Sequence, residues 1–383
     1  MASVFSGVDL GLGTGYDSPL MGRESFGQAR RVVVKAGTRT LLDETQRPDL
    51  ATIRRLLEEM VALKKAGKGV LFVTSGAIGT GLAPLGLSKR PDSIPELQAA
   101  AAVGQSLLMQ IYNGVLAPMG VSVAQLLLTH EDFQDRRRYL NVRNVLAVLE
   151  GKNVLPVINE NDTVGVDEIK FGDNDILAGL VANAADAEVT VLLSDVDGFY
   201  MDGALQAEVG EVTPAVEAAA GGTSGLGSGG MASKIRCAKT VTASGGCLLL
   251  VHGKKVTLGD ALDGKAGTLF RPRGTRLDHR KRWIAHTLKS AGSVTLDAGG
   301  AKAVTKNGKS LLAVGITGCD GEFDVGDPVT VRDPAGAAIA KGLVNYASAD
   351  LRRILGKRTD EIEKILGFRS FDEIIHRDNL VLL

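Results

Sequence analysis

Aromatic residues are scarce in this 383-residue chain: 10 Phe, 5 Tyr and 1 Trp make up 4% of it. That scarcity argues against single-strand nucleic-acid binding as the main function, because such surfaces stack bases on aromatic platforms. Cysteine is rarer still, and Cys237, Cys247 and Cys319 show neither an even count nor a metal-ligand spacing. They give no disulfide framework and read as thiols of a reduced intracellular protein. The five His residues are scattered, so neither a protein-held metal nor a Ser-His-Asp arrangement is expected. No apolar run approaches the roughly 18 residues that span a bilayer, so a soluble, cytoplasmic chain without a membrane partner is expected. The motif G-x-x-x-x-G-K-[ST] is missing too. Ala303 stands where its first glycine should precede Gly308-Lys309-Ser310, which excludes a P-loop kinase.

What is present is aliphatic. Apolar residues make up 44%, enough for a core rich in Val, Leu and Ala, and the length suits two domains. From about residue 31 to 263, short apolar runs alternate with helical patterns, the signature of an open, largely parallel α/β sheet sandwiched by helices. Strands are expected at Arg31–Lys35, Val70–Thr74, Val121–Leu128, Val154–Ile158, Val189–Leu193 and Leu248–Val251. Helices are expected at Asp49–Lys65, Pro95–Tyr112, Arg138–Glu150, Asn174–Ala185 and Met231–Ser244. In the first of these, Leu50, Ile53, Leu57, Met60 and Val61 share one face. Residues 1–30, rich in Gly and Ser, read as a flexible leader and neither a secretory signal nor a transit peptide. Ligands of such folds bind beyond the carboxyl ends of the strands.

After Gly264 the pattern becomes short strands with turn signals: Ser293–Asp297, Leu312–Thr317, Pro328–Arg332 and Ala338–Val344, then a helix at Ser348–Leu355 stopped by Gly356. The formal net charge is zero, yet Gly264–Leu383 holds 20 Lys and Arg against 14 Asp and Glu, six of the basic residues lying between Arg271 and Arg282. The organisation read from this is a leader (1–30), an α/β domain (31–270), a linker or helix (271–291) and a small β-rich domain (292–383).

The unusual residues gather at strand ends. Pro156–Asp175, PVINENDTVGVDEIKFGDND, packs Asn159, Asn161 and Asn174 among acidic residues where a core would supply apolar ones. Such a density fits a pocket that grips both ends of a small zwitterion. The plainer reading is a polar loop capping a helix through Asp173. Two glycine turns follow strands: Lys35-Ala36-Gly37-Thr38, and Thr74-Ser75-Gly76-Ala77-Ile78-Gly79, which enters a helix. Either alone could be an ordinary tight turn; together with a strand-terminal lysine they read better as a cradle for phosphoryl oxygens. Gly221–Lys234, GGTSGLGSGGMASK, has the composition of a linker, but it enters a helix at Met231 with Lys234 one turn inside, which suits a loop closing over nucleotide phosphates.

The order of these motifs resembles that of the amino acid kinase family. PVINEND followed by GDND is similar to a glutamate-binding signature of that family, GSGGMASK to its GTGGM-x-x-K motif, and Ser194-Asp195-Val196-Asp197-Gly198-Phe199-Tyr200 to its nucleotide-side TDxxGLY motif. The β-rich end, through GEFDVGDPVTV and GLVNYASADLRRILG, resembles a PUA barrel. The resemblance implies ATP-dependent phosphorylation of the γ-carboxylate of L-glutamate, with Mg²⁺ held by the ATP phosphates, at the opening of proline synthesis. It implies that Lys35 and Lys234 contact the transferring phosphoryl group while Asp195 orients both lysines. Ser75, Gly76, Asn159, Asp162 and Asn174 would bind glutamate, with Asp173 and Asp175 shaping the pocket. Gly37, Ser194, Ser228, Gly229, Gly230, Met231, Ala232 and Ser233 would line the nucleotide.

The resemblance further implies a homo-oligomer, dimer or tetramer, feedback inhibition by L-proline, and RNA as a candidate partner of the PUA-like end. Ala36 in the K-x-G turn, Ser194 for Thr and a longer leader depart from the family pattern; none removes a proposed charged group. A kinase for another small acid, such as N-acetylglutamate or a carbamate, is the nearest alternative. An RNA-binding protein with a scaffold domain is the alternative of a different class.

Overall fold

A computed structural model describes residues 23–165, 174–221, 230–272, 290–306, 308–369 and 371–383. Most of the expected leader and linker, together with Asp173, Ser228 and Gly229, lies outside the described residues. The chain divides into two compact units after Arg273.

The first unit is built on an eight-stranded sheet. Its strands are β1 (Arg31–Ala36), β2 (Gly69–Val73), β3 (Ser122–Leu128), β4 (Val154–Glu160), β5 (Val189–Ser194), β8 (Glu208–Val209), β9 (Cys247–His252) and β10 (Thr268–Phe270). A hairpin of β6 (Tyr200–Met201) and β7 (Ala204–Leu205) stands apart from it. The order is β3-β4-β2-β1-β5-β9-β10-β8. The six strands from β3 to β9 are parallel, and β10 runs antiparallel to β9.

Strand side chains alternate between faces, so each residue's parity decides its surroundings. Val32 and Val34 of β1 join a core with Ile53, Leu57 and Met60 of helix Leu50–Lys65 and Leu108 and Tyr112 of helix Ile94–Leu116. Val33 points the other way, into a core with Leu177 and Val181 of helix Asn174–Ala184 and Ile235 and Ala238 of helix Met231–Ala243. Lys35 has the parity of Val33. It therefore faces the same two helices, whose N-terminal turns cover the carboxyl end of the sheet.

Local signals account for the helix ends. Asp49 caps helix Leu50–Lys65 by accepting from the Thr52 N–H at 3.0 Å, and Gly67 turns the chain away at φ 82°. Leu50, expected on the buried face, is instead 61% exposed: as the first helical residue it precedes the turn that meets the sheet, and Leu56 fills the core. Among the described residues no helix is long and apolar enough to cross a membrane.

The second unit holds a five-stranded sheet in the order β12-β11-β13-β14-β15. These are β11 (Gly292–Leu296), β12 (Ile316–Gly321), β13 (Pro328–Arg332), β14 (Ala338–Leu343) and β15 (Leu380–Leu382). Val294, Val329, Val331, Leu351, Ile354 and Ile362 lie in its core. The strand expected at Leu312–Thr317 begins only at Ile316, because Ala313–Gly315 forms a 3₁₀ turn.

Candidate active site

Three charged side chains meet where β1 ends and helices Asn174–Ala184 and Met231–Ala243 begin. Lys35 Nζ lies 2.5 Å from Asp175 Oδ1, and Lys234 Nζ lies 2.9 Å from Asp175 Oδ2. The Ser233 hydroxyl is also 2.8 Å from Asp175 Oδ2. All four residues are buried, Lys35, Asp175 and Lys234 at 6%, 2% and 7% exposure. Burial alone would push the Asp175 carboxyl up, but the charges and hydrogen bonds of Lys35 and Lys234 override it and hold the group well below the usual carboxylate range. Within this trio two cations face one anion. Two buried ammonium groups aimed at one point favour an incoming anion.

Each side chain is placed by local structure. Gly37 follows β1 and donates its N–H to Leu193 O at 3.3 Å. A Cβ on Gly37 would sit 3.4 Å from Lys35 Nζ, so glycine keeps the space beside the ammonium open. Gly230 caps helix Met231–Ala243 and brings Ser233 and Lys234 to its first turn, beside the half-buried Met231 and the exposed Ala232.

Beside the lysines, over β2 and β4, lies a network of amides. Asn174 Nδ2 is within 2.8 Å of Thr74 O, 2.9 Å of Ser75 Oγ and 2.8 Å of Asn159 Oδ1. Asn159 Nδ2 donates to Gln105 Oε1 at 2.8 Å. Two atoms of this network, Asn174 Oδ1 and Gln105 Nε2, are buried without a hydrogen-bond partner among the described residues. Gly76 adopts the left-handed conformation, φ 94°, that turns the chain from Ser75 into helix Ala77–Leu82. Asp162 is half-buried in the turn after β4.

The other flank, over β5, is more open. Ser194 Oγ donates to Asp195 Oδ1 at 3.1 Å, and Arg39 Nη1 donates to Asp195 Oδ2 at 2.6 Å. Burial works against ionisation of Asp195, while Arg39 and further hydrogen bonds outweigh it and lower its pKa. The carboxylate that bridges Lys35 and Lys234 is thus Asp175, where the sequence assigned that role to Asp195. Parity explains the exchange: Lys35 projects to the face covered by the helix that begins at Asn174, and Asp195 lies beyond the end of β5.

The chain matches the model of the amino acid kinase family over residues 30–252 and that of the PUA domain over residues 292–366. The chain belongs to the amino acid kinase family. Among its relatives within that family, glutamate 5-kinase of Moorella thermoacetica is 46% identical over 371 residues, covering 94% of this chain and 98% of the relative. Glutamate 5-kinase of Myxococcus xanthus is 48% identical, with the same coverages of 94% and 98%.

For this amino acid kinase, the structure brings together Lys35, Lys234, Ser233 and Asp175 on one side and Ser75, Asn159 and Asn174 on the other. Asp173, Ser228 and Gly229 lie outside the described residues. Two contributors escaped the sequence reading. Arg39 follows the K-x-G turn and carries no motif of its own. Gln105 does carry a signal: it occupies the buried face of its helix, with Leu97, Ala101, Leu108 and Tyr112, where a polar side chain needs a partner.

Proposed function

We propose that this chain catalyses ATP-dependent phosphorylation of the γ-carboxylate of L-glutamate, yielding γ-glutamyl phosphate and ADP, the opening step of proline synthesis. The observation that carries this reading is the convergence of Lys35 and Lys234 on Asp175 beside a buried amide pocket. The glutamate 5-kinases that are 46% and 48% identical support the choice of acid.

The chemistry asks little of acid–base groups. A γ-carboxylate, with a reference pKa near about 4.3, is already an anion at neutral pH and needs no general base. The obstacle is repulsion between two anions. Lys35 approaches from the sheet and Lys234 from the opposing helix, so cations on two sides can screen the transferring phosphoryl group and hold the oxygens in line. Asp175 keeps both ammonium groups aimed at one point before substrate arrives. ATP enters as its Mg²⁺ complex, the metal being held by phosphate oxygens.

Ser75, Gly76, Asn159, Asp162 and Asn174 then bind glutamate, Asp162 pairing with the α-ammonium and Asp173 shaping the pocket. Gly37, Ser194, Asp195 and residues 228–233 line the nucleotide. The kinase domain spans 31–270 and the PUA-like domain 292–383. A cytoplasmic homo-oligomer, inhibited by L-proline, belongs to the same reading. The test is ADP release across L-glutamate, N-acetylglutamate, aspartate and uridine monophosphate. L-Glutamate should be the preferred acceptor, and equal turnover of N-acetylglutamate would remove the role given to Asp162.

A further inference from the structure

The amide network beside the lysines has a fixed polarity. Thr74 O is a carbonyl and can only accept, so the group that Asn174 turns toward it must be its NH₂. The Glu160 N–H can only donate, and it lies 2.9 Å from the oxygen of Asn159. With both amides pinned by backbone, Asn159 Nδ2 must face Gln105, and Gln105 must answer with Oε1. The whole relay is buried or nearly so, Asn159 and Gln105 at 2% and 7% exposure. Two valences are left over. Asn174 Oδ1 is an acceptor and Gln105 Nε2 a donor, each without a partner among the described residues. A buried polar atom left unpaired is costly, so both are held for a ligand or an ordered water.

We propose that Gln105 is a positioning residue for the amino-acid substrate: it anchors Asn159, and through Asn159 steadies Asn174, whose Oδ1 is offered to the α-ammonium. This rests on the glutamate reading above. Gln105 sits on helix Ile94–Leu116, away from the two lysines in sequence, and acts on recognition of the acid and not on phosphoryl transfer. Loss of its acceptor leaves Asn159 Nδ2 buried without that bond, so Asn159 holds Asn174 less firmly and Oδ1 is presented to the α-ammonium less precisely.

The test uses the full chain and steady-state ADP release with L-glutamate and with ATP varied in turn. Two variants separate shape from polarity: Gln105→Met keeps the length without an acceptor, and Gln105→Asn keeps the amide but is one methylene too short. Each should raise the KM for glutamate about tenfold, with kcat and the KM for ATP within about twofold of the parent. A merely structural role would lower kcat and disturb both KM values together. Either variant with an unchanged KM for glutamate overturns the proposal, as does a parallel loss of kcat in both. Gln105→Asn guards against misfolding of the Met variant, and circular dichroism checks both. If the parent chain itself releases no ADP with glutamate, it is the glutamate reading that has failed, a result distinct from an active parent whose variants behave like it.

Discussion

Asp175 holds its charge between two ammonium groups in a buried site, so its removal takes away the carboxylate that both ammonium groups share. Asp175→Asn should lower kcat by roughly a hundredfold or more, and Lys35→Ala and Lys234→Ala by similar factors, because these charges matter most when the phosphoryl group is in transit. Near-normal kcat in the lysine variants would reduce them to packing. The pH dependence has a definite sign. Asp175 is held below the ordinary carboxylate range, so its contribution to stability is complete above the unfolded value, about 3.9, and is lost as pH falls through the lower folded value. Its titration therefore lies outside the range from about pH 5 to 8. A limb of the kcat profile inside that range that vanishes in Asp175→Asn would contradict this assignment. At this scale the sequence was partly legible. Lys35, Asn159, Asn174 and Lys234 stand in motifs, but the bridging role of Asp175 depends on which face Lys35 takes, and Gln105 is recognisable only once its helix is laid against the sheet.

The Ser75–Gly76 turn is held by an unusually close pair of elements. Helix Ala77–Leu82 and helix Ile94–Leu116 touch backbone to backbone, since a Cβ on Gly104 would lie 1.8 Å from Ala77 O and one on Gly81 would lie 1.9 Å from Ala100 O. Gly104→Ala must push the helices apart, which should cost about 1–3 kcal/mol or more and lower the Tm by several degrees in a thermal melt. Because the displaced helix begins at Gly76, the KM for glutamate should rise with it. An unchanged Tm would mean that the two helices separate freely. The longer elements were readable from apolar periodicity: Val32–Val34 and Leu248–Val251 are strand cores on any reading. Helix Ala298–Thr305 was not, because it buries a single large side chain, Val304, too little for a period to show; helix Thr359–Leu366 does carry a helical apolar spacing, Ile362, Ile365 and Leu366, and was overlooked because it is only two turns long. β10 was missed for a similar reason, as a three-residue antiparallel strand in an otherwise parallel pattern.

At the scale of the molecule, Lys35, Asn159, Asn174, Asp175, Asp195 and Lys234 all precede the division of the chain after Arg273. β10 must stay with the first unit, because Thr268, Leu269 and Phe270 are buried in its sheet between β9 and β8. A chain ending at Arg273 should therefore fold and keep measurable kinase activity, whereas complete loss in a chain still folded by circular dichroism would make the second unit part of the catalytic machinery. Any RNA binding by that second unit should be weak and fall with salt, given an excess of only three basic residues, 17 against 14, from Gly274 onward. The central claim concerns the bond that forms, from a carboxylate oxygen to the γ-phosphorus of ATP. An acyl phosphate is trapped by hydroxylamine as a hydroxamate, so the most direct measurement is hydroxamate formation from Mg–ATP and L-glutamate, with Lys234→Ala alongside. The account predicts γ-glutamyl hydroxamate in step with ADP for the parent chain and roughly a hundredfold less for the variant. ADP released with no hydroxamate, or hydroxamate formed equally by both proteins, would contradict it.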